Sequence, residues 1–381
     1  MGREVAITGL GAVSALGLGV EALWSGLLAG RSGLRRLPEA AAMGLPVTSG
    51  GPVPFSGPTR DVALARAALD EARAHAGLPP GPLAAGFFWA NALDTFQVGE
   101  GGLVHRSAGQ CFQELAQDYL GPRRMFAVAC ASGTRSVGEA FRAIRAGALD
   151  VAVAGGSAVM LTPFYLIGFA ALRAVALDED APDPARACRP FDATRCGFAL
   201  ADGAGALILE SLDHARARGA EVLAVVEGLG TSMDAHDLNR PPDDGAGALA
   251  CLRACLADAG RQPAEVGGVN AHGTGTRVGD VAEAAALGAL FGERGVAVHG
   301  VKGAIGHAMA AAGALEAVVA VQSCRTGWLP PTVGLTRLAE ACDLDAVVGG
   351  PRPLRRRRVL SASFGMGGQN AAILVAGTEA R

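Results

Sequence analysis

Three residues of this chain stand where side chains of their type do chemistry. Cys130 follows residues 125–129, which read as a strand, and precedes Ala131-Ser132-Gly133-Thr134 and a helical stretch at 137–146. A cysteine at such a strand-to-helix corner meets unpaired backbone N–H groups and the positive end of the helix dipole, which should lower its pKa and make it a nucleophile. His272 closes a strand expected at 268–271 and is followed by Gly273-Thr274-Gly275-Thr276, small and hydroxylated residues that leave an imidazole reachable and offer hydrogen bonds to a ligand. His307 ends Val301-Lys302-Gly303-Ala304-Ile305-Gly306-His307, ahead of an alanine-rich helix that lets backbone and substrate approach closely. A thiol nucleophile near two imidazoles suits acyl transfer through a covalent thioester. On spacing alone other readings stay open: a cysteine packs as a small hydrophobe as readily as it reacts, and a lone histidine is more often structural. The other seven cysteines are read as packing residues.

The elements that must position these residues alternate strand with helix. A first strand is expected over 4–8, stopping in a turn at Gly9-Leu10-Gly11, with helices at 20–29 and 60–77 around a Gly- and Pro-rich loop at 38–58. After Cys130 come a strand at 150–154, a turn at Gly155-Gly156-Ser157, a helix at 164–174, a Pro-rich loop at 181–190 and a strand at 205–209. A second series opens with a strand at 221–228, a helix at 246–259 and the strand before His272. It ends in strands at 358–361 and 371–375 that flank a Gly-rich turn at 364–368. Residues 223–230 close on Gly-Leu-Gly as residues 5–11 do, an echo consistent with a duplicated α/β unit.

The 381 residues allow two core-bearing units or one large α/β domain. Half are hydrophobic and 18% charged, the balance of a packed globular enzyme. A net charge of -3 supplies no basic field for nucleic acid. Eight scattered cysteines without a CxxC pair suit a reducing cytoplasm. The N-terminus has no apolar signal region, and the apolar run at 308–321, broken by Gly313 and Glu316, falls short of the roughly 20 residues that span a bilayer. A soluble cytoplasmic protein is expected. The histidines sit on separate loops without metal-ligand spacing, and Gly9-Leu10-Gly11 lacks the third glycine of a dinucleotide fingerprint, so neither a metal nor a nucleotide is expected.

Taken together, Ala129-Cys130-Ala131-Ser132-Gly133, His272-Gly273-Thr274-Gly275-Thr276 and Lys302-Gly303-Ala304-Ile305-Gly306-His307 resemble the β-ketoacyl synthase family, the condensing enzymes of fatty-acid and polyketide assembly. Further matches are Phe191-Asp192, Gly203-Ala204-Gly205, Gly279-Asp280 with Glu283, Ala311-Ala312-Gly313 with Glu316, and Phe364-Gly365-Met366-Gly367-Gly368-Gln369-Asn370. The resemblance runs nearly end to end in the family's order. It implies a thiolase-like α/β fold, two duplicated βαβαβαββ halves in a five-layer αβαβα arrangement, divided here as 1–215 with the cysteine and 216–381 with both histidines. It implies that Cys130 takes an acyl group from an acyl carrier protein, with the amides of Cys130 and Met366 as oxyanion donors. His272 and His307 would then serve decarboxylative condensation with a malonyl unit. By the same resemblance Lys302 pairs with Glu316 and holds the histidine loop, Glu283 supports it, Thr274 and Thr276 bind the phosphopantetheine arm, and Phe364 packs beside the cysteine. No cofactor is implied beyond the carrier's phosphopantetheine. A homodimer is implied by default, with a heterodimer with a ketosynthase-like partner as the alternative.

The sequence departs from the family in places. Met366 stands where an aromatic gate is usual and Gln369 where threonine is, which puts the acyl specificity in question. Cys196 and Asp202 replace commonly acidic and Glu residues. The segment Phe87-Phe88-Trp89-Ala90-Asn91-Ala92-Leu93-Asp94-Thr95-Phe96 replaces a more Gly-rich loop, which marks a specialised pocket or partner. Arg123-Arg124 and the basic run at 355–358 either meet an acidic carrier or are ordinary solvated charge. Two other readings are a homologue that keeps Cys130 but only transfers or hydrolyses acyl groups, or condenses without decarboxylation using an unusual nucleophile, and a noncatalytic partner subunit of the chain-length-factor kind, against which the nucleophile Cys130 speaks.

Overall fold

A computed structural model describes residues 2–57, 59–99 and 102–378. Two series of five strands form its frame. The first comprises β1 (Val5–Ser14), β2 (Gly86–Ala90), β3 (Arg123–Phe126), β4 (Val151–Ala158) and β5 (Gly203–Ser211). The second comprises β6 (Ala224–Met233), β7 (Gly268–Asn270), β8 (Ala297–His299), β9 (Arg358–Phe364) and β10 (Gln369–Ala376). Their spatial orders are β3-β2-β4-β5-β1 and β8-β7-β9-β10-β6, the same topology twice. In each series the last strand runs antiparallel to both its neighbours, and the second, third and fourth are mutually parallel where they pair. Antiparallel pairing of Val5 with Val226 and Ile7 with Ala224 joins the two halves into one sheet. The division expected at residues 215 and 216 falls in the short helix Leu212–Ala217, between β5 and β6.

Helices fill the layers around this frame. Among them are α1 (Arg60–His75), α2 (Ser132–Arg145), α3 (Pro163–Ala171), α4 (Ala246–Ala259), α5 (Arg277–Phe291) and α6 (Ala312–Thr326). α1 covers the outer face of the first half and α4, backed by α5, that of the second, while α2 and α6 pack on each other between the halves. Five layers result. The central position of α6 follows from its composition: residues 312–324 are all buried, as a helix apolar on every side requires.

Two turns expected at glycines are strand instead. β1 runs straight through Gly9 and Gly11, because a Cβ there would stand 2.2 Å from the Ala72 carbonyl oxygen and 1.8 Å from that of Ala68 on α1. Only glycine admits the helix backbone so close. Gly155 and Gly156 likewise lie within β4, where a Cβ on Gly155 would meet the Gly205 carbonyl oxygen at 2.1 Å. The second half repeats the first device: Gly228 and Gly230 of β6 face the Cys255 and Cys251 carbonyl oxygens of α4, at 2.6 and 2.1 Å from a hypothetical Cβ. Both strands also carry a bulge at the first glycine, between Ile7 and Gly9 and between Val226 and Gly228. Smaller differences are a short helix, Pro38–Ala42, inside the loop expected at 38–58, and the start of α2 at Ser132 rather than 137. Among the described residues no helix is long and apolar enough to cross a membrane.

Candidate active site

Cys130 is the middle residue of a tight turn, Ala129–Ala131, that feeds directly into α2. Ala129 is held at φ 49°, a left-handed conformation that costs a non-glycine residue on the order of 1 kcal/mol and persists only where surroundings impose it. Those surroundings are visible: the Ser132 hydroxyl donates to the Ala129 carbonyl at 2.6 Å and accepts from the Val128 N–H at 2.8 Å. The sulfur lies 3.2 Å from His307 Nε2 and 3.7 Å from Met309 Sδ. Burial pushes the Cys130 thiol up to about 11, against the pull of the Lys302 charge and of the Met366 and Cys130 N–H groups. The lowered pKa expected at the strand-to-helix corner is therefore overridden, since a thiolate sealed from water loses more solvation than the nearby donors return.

His272 follows β7 and is fixed through its backbone. Its N–H and that of Gly273 donate to the two Glu283 oxygens at 2.7 and 2.8 Å. Asp280, one turn earlier on α5, accepts from the Gly275 and Phe191 N–H groups at 3.0 and 2.6 Å. The buried carboxylates of α5 thus clamp the 272–276 loop. Lys302 Nζ donates to the His272 carbonyl at 2.5 Å and to Glu316, and lies 3.3 Å from His272 Nδ1. Lys302 and Glu316 are each 1% exposed, so this pair sits where an unpartnered charge would be very costly.

His307 is pinned by the segment leading into β5: its N–H donates to the Ala199 carbonyl at 2.7 Å and its carbonyl accepts from the Ala201 N–H at 3.1 Å. The Met309 N–H donates to His307 Nδ1 at 3.3 Å. A ring nitrogen that accepts carries no proton, so the proton of neutral His307 is on Nε2, facing the sulfur. Lys302 imposes the same tautomer on His272. Burial first, then the Lys302 charge, holds both imidazoles well below the usual histidine range, so both are neutral. Their centroids are 5.4 Å apart at 83°. Two Nε2–H donors therefore converge beside one thiol.

The ligand atoms of Cys130, His272 and His307 lie within 4.8 Å of one another, close enough to suggest a metal ion. The donors around them argue otherwise. A metal-bound imidazole offers its second N–H to an acceptor, whereas here both Nδ1 atoms face donors. The set does not fit a metal.

A cavity of about 630 Å³ opens from these groups. Cys130, His272, His307 and Glu283 line it together with Thr274, Thr276, Phe364 and Met366, and exposed Arg240 and Arg277 mark its outer part. Lys302 and Glu316 stand behind the lining. The Thr274 and Thr276 hydroxyls are 3.0 Å apart, and the Phe364 ring lies edge-on to His272 at 5.9 Å. The glycine-rich turn is held by Asn370 Nδ2 donating to Asp234 at 2.6 Å and by the Gly367 N–H donating to the Leu238 carbonyl at 2.8 Å. Met309 and Phe198, whose ring edge meets His307 at 5.1 Å, were not among the residues the sequence singled out. No local pattern marks them.

Comparison with known proteins gives the family and the fold. Residues 2–76 and 115–215 match the family model of the β-ketoacyl synthase N-terminal domain, and residues 223–336 that of its C-terminal domain. The chain is similar to the 3-oxoacyl-[acyl-carrier-protein] synthase 2 of Coxiella burnetii, with 33% identity over 411 aligned residues covering 98% of each chain. Its fold is similar to the ishigamide ketosynthase/chain length factor, with a TM-score of 0.86, 29% identity, and coverage of 99% of this chain and 100% of that one. It is also similar to a type II polyketide ketosynthase solved in complex with its acyl carrier protein, with a TM-score of 0.90, 25% identity, and coverage of 99% and 100%.

Proposed function

We propose a reaction for this chain from one premise: it belongs to the β-ketoacyl synthase family, condensing acyltransferases of thiolase-like fold. The observation that carries the proposal is the meeting of one thiol with two neutral imidazoles that both present Nε2–H. Cys130 Sγ attacks the thioester of an acyl carrier protein. The oxyanion is received by the Cys130 and Met366 amides, the bond to the pantetheine sulfur breaks, and the thiol proton leaves with that sulfur. A thiol near 11 needs this: it gives up its proton when an acyl group arrives, not before.

A malonyl thioester follows through the same cavity. Its carboxylate leaves as carbon dioxide, and the electron pair becomes an enolate whose oxygen accepts from His272 and His307. Neutral donors suit an oxyanion that must form and then collapse. The enolate carbon attacks the Cys130 thioester, the carbon-sulfur bond breaks, and the thiolate takes a proton from the medium. Lys302 positions His272 through its carbonyl and Nδ1, with Glu316 as counter-charge; Glu283 positions the same loop. Thr274 and Thr276 receive the phosphopantetheine arm. Phe364 and Met366 wall the reacting centre.

The partners are an acyl carrier protein and a second ketosynthase-like subunit, either a copy of this chain or a related one in which case this chain, with its thiol, is the catalytic half. The substrates bring the phosphopantetheine, and the steps as written use no resident metal or cofactor. Eight unpaired cysteines suit a reducing cytoplasm. The setting is a fatty-acid-like, polyketide or polyene pathway. Intact-protein mass spectrometry with an acyl carrier thioester, then malonyl carrier protein, tests the reading. Wild type gains the acyl mass at Cys130 and releases an extended β-ketoacyl carrier. His307→Ala still acylates but condenses about 100- to 1000-fold more slowly. Acylation without extension in wild type favours a transferase instead.

A further inference from the structure

Residues 77–114 separate the two stretches that match the family's N-terminal domain, and they include a hairpin, Thr95–Gly99 paired with Gly102–Arg106. This hairpin is fastened to the flank of the site. The Asp94 carboxylate pairs with His105 Nε2 at 2.7 Å and accepts from the Ala108 N–H at 2.8 Å, and its backbone carbonyl accepts from the Tyr165 hydroxyl of α3. Arg106 reaches Asp61 at 3.3 Å and Glu114 at 2.8 Å.

From the hairpin a series of rings leads to the reacting centre. Phe96 lies 6.2 Å from Tyr165, Tyr165 6.5 Å from Phe169, Phe169 5.8 Å from Phe198, and Phe198 5.1 Å from His307, centroid to centroid. Tyr165 and Phe169 are buried and belong to the same apolar cluster as Cys130 and Met309. Of these rings Phe198 alone lines the cavity that reaches Cys130.

We infer that this ladder of rings closes the inner end of the cavity beside Cys130, that the enzyme therefore loads short acyl groups from acetyl to butanoyl, and that Tyr165 sets the limit. The inference rests on the condensing reaction proposed above. In both half-reactions a pantetheine arm enters from the outer part of the cavity, so the tail of an acyl group on Cys130 turns to its inner end. There it meets Met309 Sδ, 3.7 Å from Sγ, and the Phe198 ring, both of which line the cavity, and behind them Phe169, Tyr165 and Phe96. A longer tail has to displace Tyr165, which breaks the hydrogen bond to Asp94 and leaves a buried hydroxyl without its partner. Asp94 lies between the matched stretches, whereas Tyr165, Phe169 and Phe198 lie within 115–215 and Met309 within 223–336, so the latch ties the hairpin to the shared machinery.

The test measures acylation of Cys130 by acetyl-, butanoyl- and octanoyl-carrier thioesters in wild type, Tyr165→Ala and Tyr165→Phe, by intact mass. Wild type takes acetyl and butanoyl at least about tenfold faster than octanoyl, as each misfitting methylene in an apolar slot discriminates. Tyr165→Ala raises the octanoyl-to-acetyl ratio about tenfold, and Tyr165→Phe, which keeps the ring and loses the latch, falls between. Wild type loading octanoyl as fast as acetyl overturns the inference. So does an unchanged ratio in a Tyr165→Ala protein whose circular dichroism matches wild type. If Tyr165→Ala does not fold, Phe96→Ala, which removes a half-buried ring from the hairpin, carries the same expectation. Failure of wild type and every variant to take any acyl group overturns the condensing reaction itself, a result separate from the chain-length limit.

Discussion

The two halves of the molecule share a strand order, a bulged first strand and a pair of glycines under an outer helix, yet they bring different chemistry to one cavity. Each half also leads into its central helix through the same tight turn. In the first, Ala129–Ala131 with Ala129 at φ 49° precedes α2; in the second, Met309–Ala311 with Met309 at φ 43° precedes α6. The middle residue is Cys130 in one turn and Ala310 in the other. The helices cross where a Cβ on Gly133 would stand 2.5 Å from the Ala314 nitrogen and one on Gly313 2.2 Å from Thr134 Oγ1. The fold thus offers two equivalent places for a nucleophile and fills one. The second half uses its loops instead, placing His272 after β7 and the Lys302 and His307 segment after β8. Duplication supplies the positions, and loss of symmetry assigns the roles.

The largest effect that could break this comparison is chemical. Cys130→Ala abolishes acylation and lowers condensation by about 10⁴-fold or more. Adding Ala310→Cys to that variant restores the thiol at the equivalent turn, but intact mass shows no acyl adduct, because the Met366 amide serves the first position only. An adduct at residue 310 would make the halves interchangeable. Next comes the buried ion pair: Lys302→Ala destabilises the fold by about 3–5 kcal/mol in urea unfolding, and Glu316→Leu in the same chain recovers a good part of it, because the loss comes from an orphaned charge. Gly11→Ala and Gly230→Ala should each cost about 1–3 kcal/mol, and nearly the same amount, since each drives a methyl into an outer-helix carbonyl. Markedly unequal midpoints would mean that α1 and α4 do not play equivalent parts. The smallest effect is one of shape. With its thiol near 11, Cys130 of the resting enzyme should react with iodoacetamide about tenfold faster per pH unit between pH 7 and 10, as the thiolate fraction rises. The histidines, already neutral, add no step to condensation between pH 6 and 8, so a step there reports the Glu283 clamp, whose carboxyl burial pushes up to about 7.

The contrast between halves also shows what a sequence can carry. The Gly-Leu-Gly echo was legible, and so were Cys130, His272 and His307, because each sits in a local pattern of small residues that chemistry needs. The meaning of the glycines was not: a glycine that frees a turn and one that clears room for a helix look alike until the helix is in place, which is why Gly9, Gly11, Gly155 and Gly156 read as turns. The thiol's pKa was misjudged for a related reason. The turn and the helix end are local, whereas the burial that outweighs them is assembled from both halves. Met309 and Phe198 escaped notice because they act by touching His307 and not by their own neighbours in sequence. The latch between Asp94 and Tyr165 is of the same kind.

The joint between the halves has a consequence for how the chain is made. Among the described residues, apart from the small hook at Gly17–Leu18, β1 pairs only with β5 and β6, so Val5 finds Ser211 or Val226 after roughly 200 further residues have emerged. At about 5–20 residues per second, a ribosome holds that strand without its partners for roughly 10–40 seconds. The strand reads VAITGLGAVS, ten residues without a charge, and would invite pairing with neighbouring chains during the wait. Gly9 and Gly11 weaken its tendency to extend alone. The two glycines that let α1 settle on the finished sheet also keep the unfinished one from finding the wrong company.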